Sequence, residues 1–281
     1  MQYYYLIAGL RDVKPTDNKI SMTPSQVSEE LLSAVSESDR RLLELYLLKH
    51  DNANLLSLLK GQEEERWEEG GLYTISQLRD AVDLIKQEGL DAQTNLPTYM
   101  VNYISEYLDK TDEPVESKIY SESRLSESYY RYLHTCPNKV IRGWFAFNEN
   151  VKNLLTAANC RRLELDVTPY IIGDSEVAEN LRTSKAKDWG LGSEIDYLND
   201  VLRIAAESDV LSKERQLDDF RWKYLDEMIL GHEFGIEHLF AFLVKLDIIA
   251  RWCNLNAELG EQKLRSMIGE LKKHAISNQI I

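Results

Sequence analysis

Apolar residues recur along this chain at three- and four-residue steps, and the segments that carry them open on helix-start signals. Thr23-Pro24-Ser25-Gln26 places a capping threonine, a proline at the first helical position and a glutamine positioned for a capping box. Ser36-Glu37-Ser38-Asp39 opens a second helix with an apolar face at Leu42, Leu43, Leu45, Tyr46 and Leu47. The run Leu55, Leu56, Leu58, Leu59 extends the pattern to a stop at Gly61. A polar break from Glu63 to Glu69, interrupted by Arg66 and Trp67, ends in Gly70-Gly71. Thr74-Ile75-Ser76-Gln77 then starts a helix that should end near Gly89.

The middle and last thirds read the same way. Helices are predicted over Pro97 to Leu108, over Glu116 to His134 with an aromatic stripe of Tyr120, Tyr129, Tyr130 and Tyr132, and over Lys139 to Cys160 after Pro137. In Arg161 to Gly173, Leu163, Leu165 and Val167 alternate with polar residues, which predicts a short strand near 163–172. Ser193 and Ser212 read as caps. Ile236, Leu239, Leu243, Leu246, Ala250 and Cys253 form one face of a long helix from Glu233 to Leu259, and Leu264 to Leu271 a final helix before a frayed tail from Ser277. The fold class expected is all-α.

Composition agrees. The 281 residues include only 13 glycines and 6 prolines, too few for the many turns of a sandwich or barrel. A net charge of −14 disfavours general nucleic-acid binding. Three cysteines without C-x-x-C spacing point to a reducing compartment. The apolar opening Met1 to Leu10 lacks a basic flank, so it does not read as a signal peptide, and no apolar run reaches the roughly 20 residues of a membrane span.

Three segments resemble one another. Asn-Leu pairs at Asn54, Asn153 and Asn254 lie 99 and 101 residues apart, each in a helical pattern preceded by an acidic residue. The first two are followed by a glycine break and a new helix. Three helical units over 1–110, 111–190 and 191–281 are one reading, and a single irregular helical domain is the other.

The residues Tyr46, Asp51, Asn54, Leu55, Leu58, Leu59 and Lys60, followed by Gly70 and Gly71, resemble the C subunit of V/A-type rotary ATPases, the counterpart of the eukaryotic d subunit. The stretch Glu237 to Leu243, running on to Asn254-Leu255, is similar to that family's last long helices, and Tyr3 to Leu10 looks like a bacterial family associated with V-type ATPases. The resemblance covers about half of a chain that is shorter than a typical member of the C-subunit family. It implies three similar helical bundles in a pseudo-threefold funnel that caps the membrane rotor ring and receives the central stalk. It also implies ion transport by the complex, no chemistry in this chain, and a cytoplasmic place held at the membrane through its partners.

Candidate chemistry is sparse. His232 and His238 are six residues apart, roughly 120° from each other around a helix, whereas a zinc helix needs a four-residue step. Glu233 and Glu237 share a face that would suit magnesium or manganese, so a metal-dependent hydrolase using Glu233, Glu237 and His238 is a minor reading. No P-loop and no G-x-S-x-G occurs, and Gly190-Leu191-Gly192 lacks the third glycine of a dinucleotide loop. No cofactor or metal is expected. Tyr3, Tyr4, Tyr5 and Trp67 are the candidate partner contacts, with helix packing as their other reading. A helical adaptor that binds another protein is the alternative to the ATPase component.

Overall fold

The computed structural model describes residues 2–17, 19–62, 67–109 and 116–255. They form eleven α-helices: α1 Tyr4–Gly9, α2 Pro24–Ala34, α3 Glu37–Leu59, α4 Ile75–Glu88, α5 Thr98–Asp109, α6 Glu116–Leu133, α7 Lys139–Arg162, α8 Glu176–Thr183, α9 Leu198–Ala205, α10 Val210–Met228 and α11 Ile236–Asn254. The fold is all-α, and no described helix is long and apolar enough to cross a membrane. The final helix, the tail, and Glu63 to Arg66 of the acidic break lie outside the described residues, as does the side chain of Tyr120.

Local chemistry sets most helix starts. Thr23 and Thr74 each accept from the backbone N–H three residues on, while Gln26 and Gln77 accept from the capping residue's own N–H, completing both capping boxes. Ser36, Asn138 and Ser175 cap α3, α7 and α8. Each such cap stabilises its helix by about 1 kcal/mol. Gly89 ends α4 at φ +65°, a conformation most side chains avoid.

Four expectations change. No strand forms over 163–172 or elsewhere among the described residues: Leu163 and Leu165 are both exposed, so their alternation marks no buried face. The segment is a loop with a single 3₁₀ turn at Thr168–Tyr170. Ser193 does not cap a helix, because residues 191–195 form a turn in which the Glu194 and Ile195 N–H groups both donate to the Leu191 carbonyl, and α9 starts at Leu198. Ser212 lies inside α10, whose cap is Asp209; the Asp209 carboxylate accepts from the Ser212 N–H at 2.7 Å. The last described helix begins at Ile236, so His232 and Glu233 sit in the turn before it.

Two apolar clusters organise the bundle. The first gathers α2, the N-terminal half of α3, and α7 to α11 around Phe147, Leu154, Phe240 and Leu243. The second lies between the C-terminal half of α3 and α4, α5 and α6, around Leu55, Leu78, Met100 and Ile104. Helix α3 serves both: Leu43 and Leu47 face the first cluster, Leu48 and Leu55 the second. Helix α7 is the centre of the first, packing on α6, α8, α9, α10 and α11. Its Phe147 ring stacks on Tyr224 of α10 with centroids 3.7 Å apart.

Candidate functional site

The Asn-Leu spacing has a structural counterpart. Asn54, fully buried on α3, donates through Nδ2 to the Glu68 carbonyl at 2.9 Å and accepts at Oδ1 from the Glu68 N–H at 2.6 Å. Asn153, fully buried on α7, does the same to Ile172, donating at 2.8 Å and accepting at 3.0 Å. An amide side chain satisfies both backbone groups of one loop residue, so that residue is as fully bonded as it would be in a sheet.

A buried acid accompanies each asparagine. Asp51 accepts from the Leu72 and Tyr73 N–H groups at 2.9 and 3.0 Å, and a Cβ on Gly71 would collide with its carboxylate. Burial raises the Asp51 carboxyl, and the two backbone donors work against that rise. On α7 the buried acid is Glu149, which a Cβ on Gly173 would strike in the same way; Gly173 also has φ +79°. Its Oε2 lies 2.6 Å from His134 Nε2, and that bond raises the imidazole above its usual value. The pattern of helix asparagine, helix acid and loop glycine thus occurs twice. Asn254 ends α11, and the residues after Leu255, where a third loop would lie, are outside the described ones.

The N-terminal tyrosines divide by environment. Tyr3 is buried; its hydroxyl bonds the Asp39 carboxylate and accepts from the Ser36 N–H at 3.1 Å, and its N–H donates to the Phe234 carbonyl at 2.7 Å. It ties the chain start to the α3 cap. Tyr4 leans on Phe234 with centroids 4.5 Å apart and stays half exposed, and Tyr5 is 97% exposed. Leu230 is 72% exposed in the turn before Phe234's, and Tyr5 borders a groove of about 510 Å³ lined by Leu10, Ile20, Met22 and Phe242. Tyr3→Phe is expected to lower stability by about 1.5–3 kcal/mol, the worth of a hydroxyl bonded to a charged partner, and Tyr5→Ser by less than about 0.5 kcal/mol. Urea unfolding of both variants checks this.

A family model described as a protein of unknown function, DUF2764, matches residues 1–275. The chain belongs to the DUF2764 family. No curated protein and no solved structure matches it.

The other candidates of this DUF2764 chain take up separate tasks. Trp67 is half-buried and packs against the second apolar cluster. Glu233 accepts the Gly231 N–H at 3.0 Å, and Glu237 accepts from Asn138 Nδ2 at 2.7 Å, so the two carboxylates are engaged with different partners. His238 is lowered by burial and by Lys245 nearby, and its Nδ1 is buried without a hydrogen-bond partner among the described residues. No group of three or more His, Cys, Asp or Glu able to hold a metal occurs among the described residues. Nothing local in the sequence pairs Asn153 with Ile172; the acid ahead of each Asn-Leu pair and the glycine break after the first two are the available signals.

Proposed function

We propose that this chain is a non-catalytic component of a V/A-type rotary ATPase, similar to the C subunit, coupling the central stalk to the membrane rotor ring. The observation that carries the reading is the repeated clamp. A coupler must pass torque without yielding, and in each clamp a buried amide ties a long helix to the segment that leads into the next one. The repeat near a hundred-residue spacing accords with three related units over 1–110, 111–190 and 191–281, and with the resemblance in Asp51, Asn54 and Gly71. The face of Tyr4, Tyr5 and Phe234 is the surface offered to a partner, since large apolar side chains left in water mark contact sites. In this reading the chain works in the cytoplasm, held at the membrane through the complex.

Tagged protein purified from the source organism's membranes in mild detergent should bring down stalk and ring subunits. Tyr5→Ser, paired with Phe234→Ser, should lower that recovery at least about fivefold, the loss of roughly 1 kcal/mol at a contact. If the protein never co-migrates with a ring or stalk, the reading fails. The same aromatic face supports a second reading, a free-standing helical adaptor, which would bring down another protein and no part of an ATPase.

A further inference from the structure

A cavity of about 280 Å³ opens between α3, α6, α7, α10 and α11. Its floor is apolar: Leu133, Trp144, Phe145 and Val244 are all buried. Its upper wall carries Lys49, Arg221 and Arg251 against Asp218 and Asp247. Glu214, which does not line the cavity, pairs with Arg251 at 3.1 Å, so the three cations meet three acids and the wall is charge-balanced.

The pairing shows which cation has a donor left over. Asp247 bonds Lys49 and the Tyr46 hydroxyl, and His50 Nε2 stands 3.6 Å away. Asp218 bonds Arg251 and accepts from Trp252 Nε1 at 2.7 Å. Arg251 and Trp252 both bond Asp218 Oδ2, which leaves Asp218 Oδ1 to Arg221. Arg221 reaches Asp218 only at 3.4 Å through Nη1 and the neutral Asn148 at 3.2 Å through Nε, and its Nη2 makes no bond among the described residues. Tyr130 also lines the cavity, in the fields of both Arg221 and Glu149, and its hydroxyl has no hydrogen bond to a described residue. An unused guanidinium edge and an unused hydroxyl above an aromatic floor are the parts of a carboxylate site.

We propose that this cavity binds a small monocarboxylate bearing an apolar group, with Arg221 as the main carboxylate ligand and Tyr130 as a second donor. A charge-balanced wall tolerates a monoanion better than a phosphate dianion, because Asp218 and Asp247 would repel a second negative charge. The apolar floor requires a tail, so acetate would fill the charge and forfeit the burial.

Titration calorimetry with phenylacetate, phenylacetamide, acetate and inorganic phosphate tests this on the full chain. Phenylacetate should bind with a Kd below about 1 mM, and each of the other three at least about tenfold more weakly, which corresponds to about 1.4 kcal/mol. Arg221→Gln should weaken phenylacetate at least about tenfold while leaving phenylacetamide unchanged, and Tyr130→Phe should weaken it about threefold. Equal binding of acid and amide, preference for phosphate, no heat up to about 10 mM phenylacetate, or full binding by a folded Arg221→Gln variant would each overturn the proposal. The four-ligand comparison on the unaltered chain and the Tyr130→Phe variant decide it even if Arg221→Gln fails to fold.

Discussion

Replacing Asn153 by alanine is expected to destabilise the protein by about 3–5 kcal/mol. The residue is fully buried, and its amide is the partner of both the N–H and the C=O of Ile172, itself a core residue. Without the amide those two groups stay dry and unpaired, and each orphaned backbone group costs about 1–3 kcal/mol. Asn153→Asp should lose nearly as much, because a carboxylate can still accept from the Ile172 N–H but faces the Ile172 carbonyl with no proton to offer. Asn54→Ala should cost less, about 1–3 kcal/mol, since its partner Glu68 lies at the surface, where water can replace the lost bonds. Urea unfolding of the three variants measures this through the midpoint at constant slope. A loss below about 1 kcal/mol for Asn153→Ala would remove the clamp from the account of the fold.

How much of the structure is legible in the sequence follows from how local each signal is. The capping boxes at Thr23 and Thr74 are complete within four residues, so they can be read directly. The Ser193 and Ser212 readings fail on competition: the Leu191 carbonyl takes the nearby N–H groups into a turn, and Asp209 takes the Ser212 N–H. The 163–172 strand fails because alternation carries meaning only when one face is buried, and Leu163 and Leu165 face water. The Asn-Leu spacing is visible, yet what Asn54 and Asn153 hold is not, because their partners lie 14 and 19 residues further on in loops of different length. Tyr3 shows the same limit. It reads as one of three surface tyrosines, and only Asp39, 36 residues away, explains its burial.

Asp247→Asn is the substitution whose cost should depend most on pH. Asp247, on α11, is nearly buried and faces Lys49, His50 and Tyr46 of α3. Burial alone would raise its carboxyl; Lys49 and His50 more than offset that and hold it well below the usual carboxylate range. A depressed acid contributes stability that is present above its unfolded value, about 4, and lost as pH falls towards its folded value. His50 runs the other way. Burial lowers it, but bonds to Asp247 and Glu68 prevail and raise it, so its contribution is full below about 6.5 and lost as pH rises through the raised value. The pair therefore stabilises most between about pH 4.5 and pH 6.5. There Asp247→Asn should cost about 2–4 kcal/mol, below the usual figure for a broken buried pair because Lys49 is about one-third exposed and can rehydrate. Unfolding by urea at pH 3, 5.5 and 8 should show the gap between the two proteins only partly narrowed at pH 3, because the folded carboxyl titrates below that pH. At pH 8 it should narrow only partly, because Lys49 stays charged after His50 has lost its proton. A gap of constant size from pH 3 to 8 would mean that Asp247 packs α11 against α3 by shape alone, with its charge playing no part.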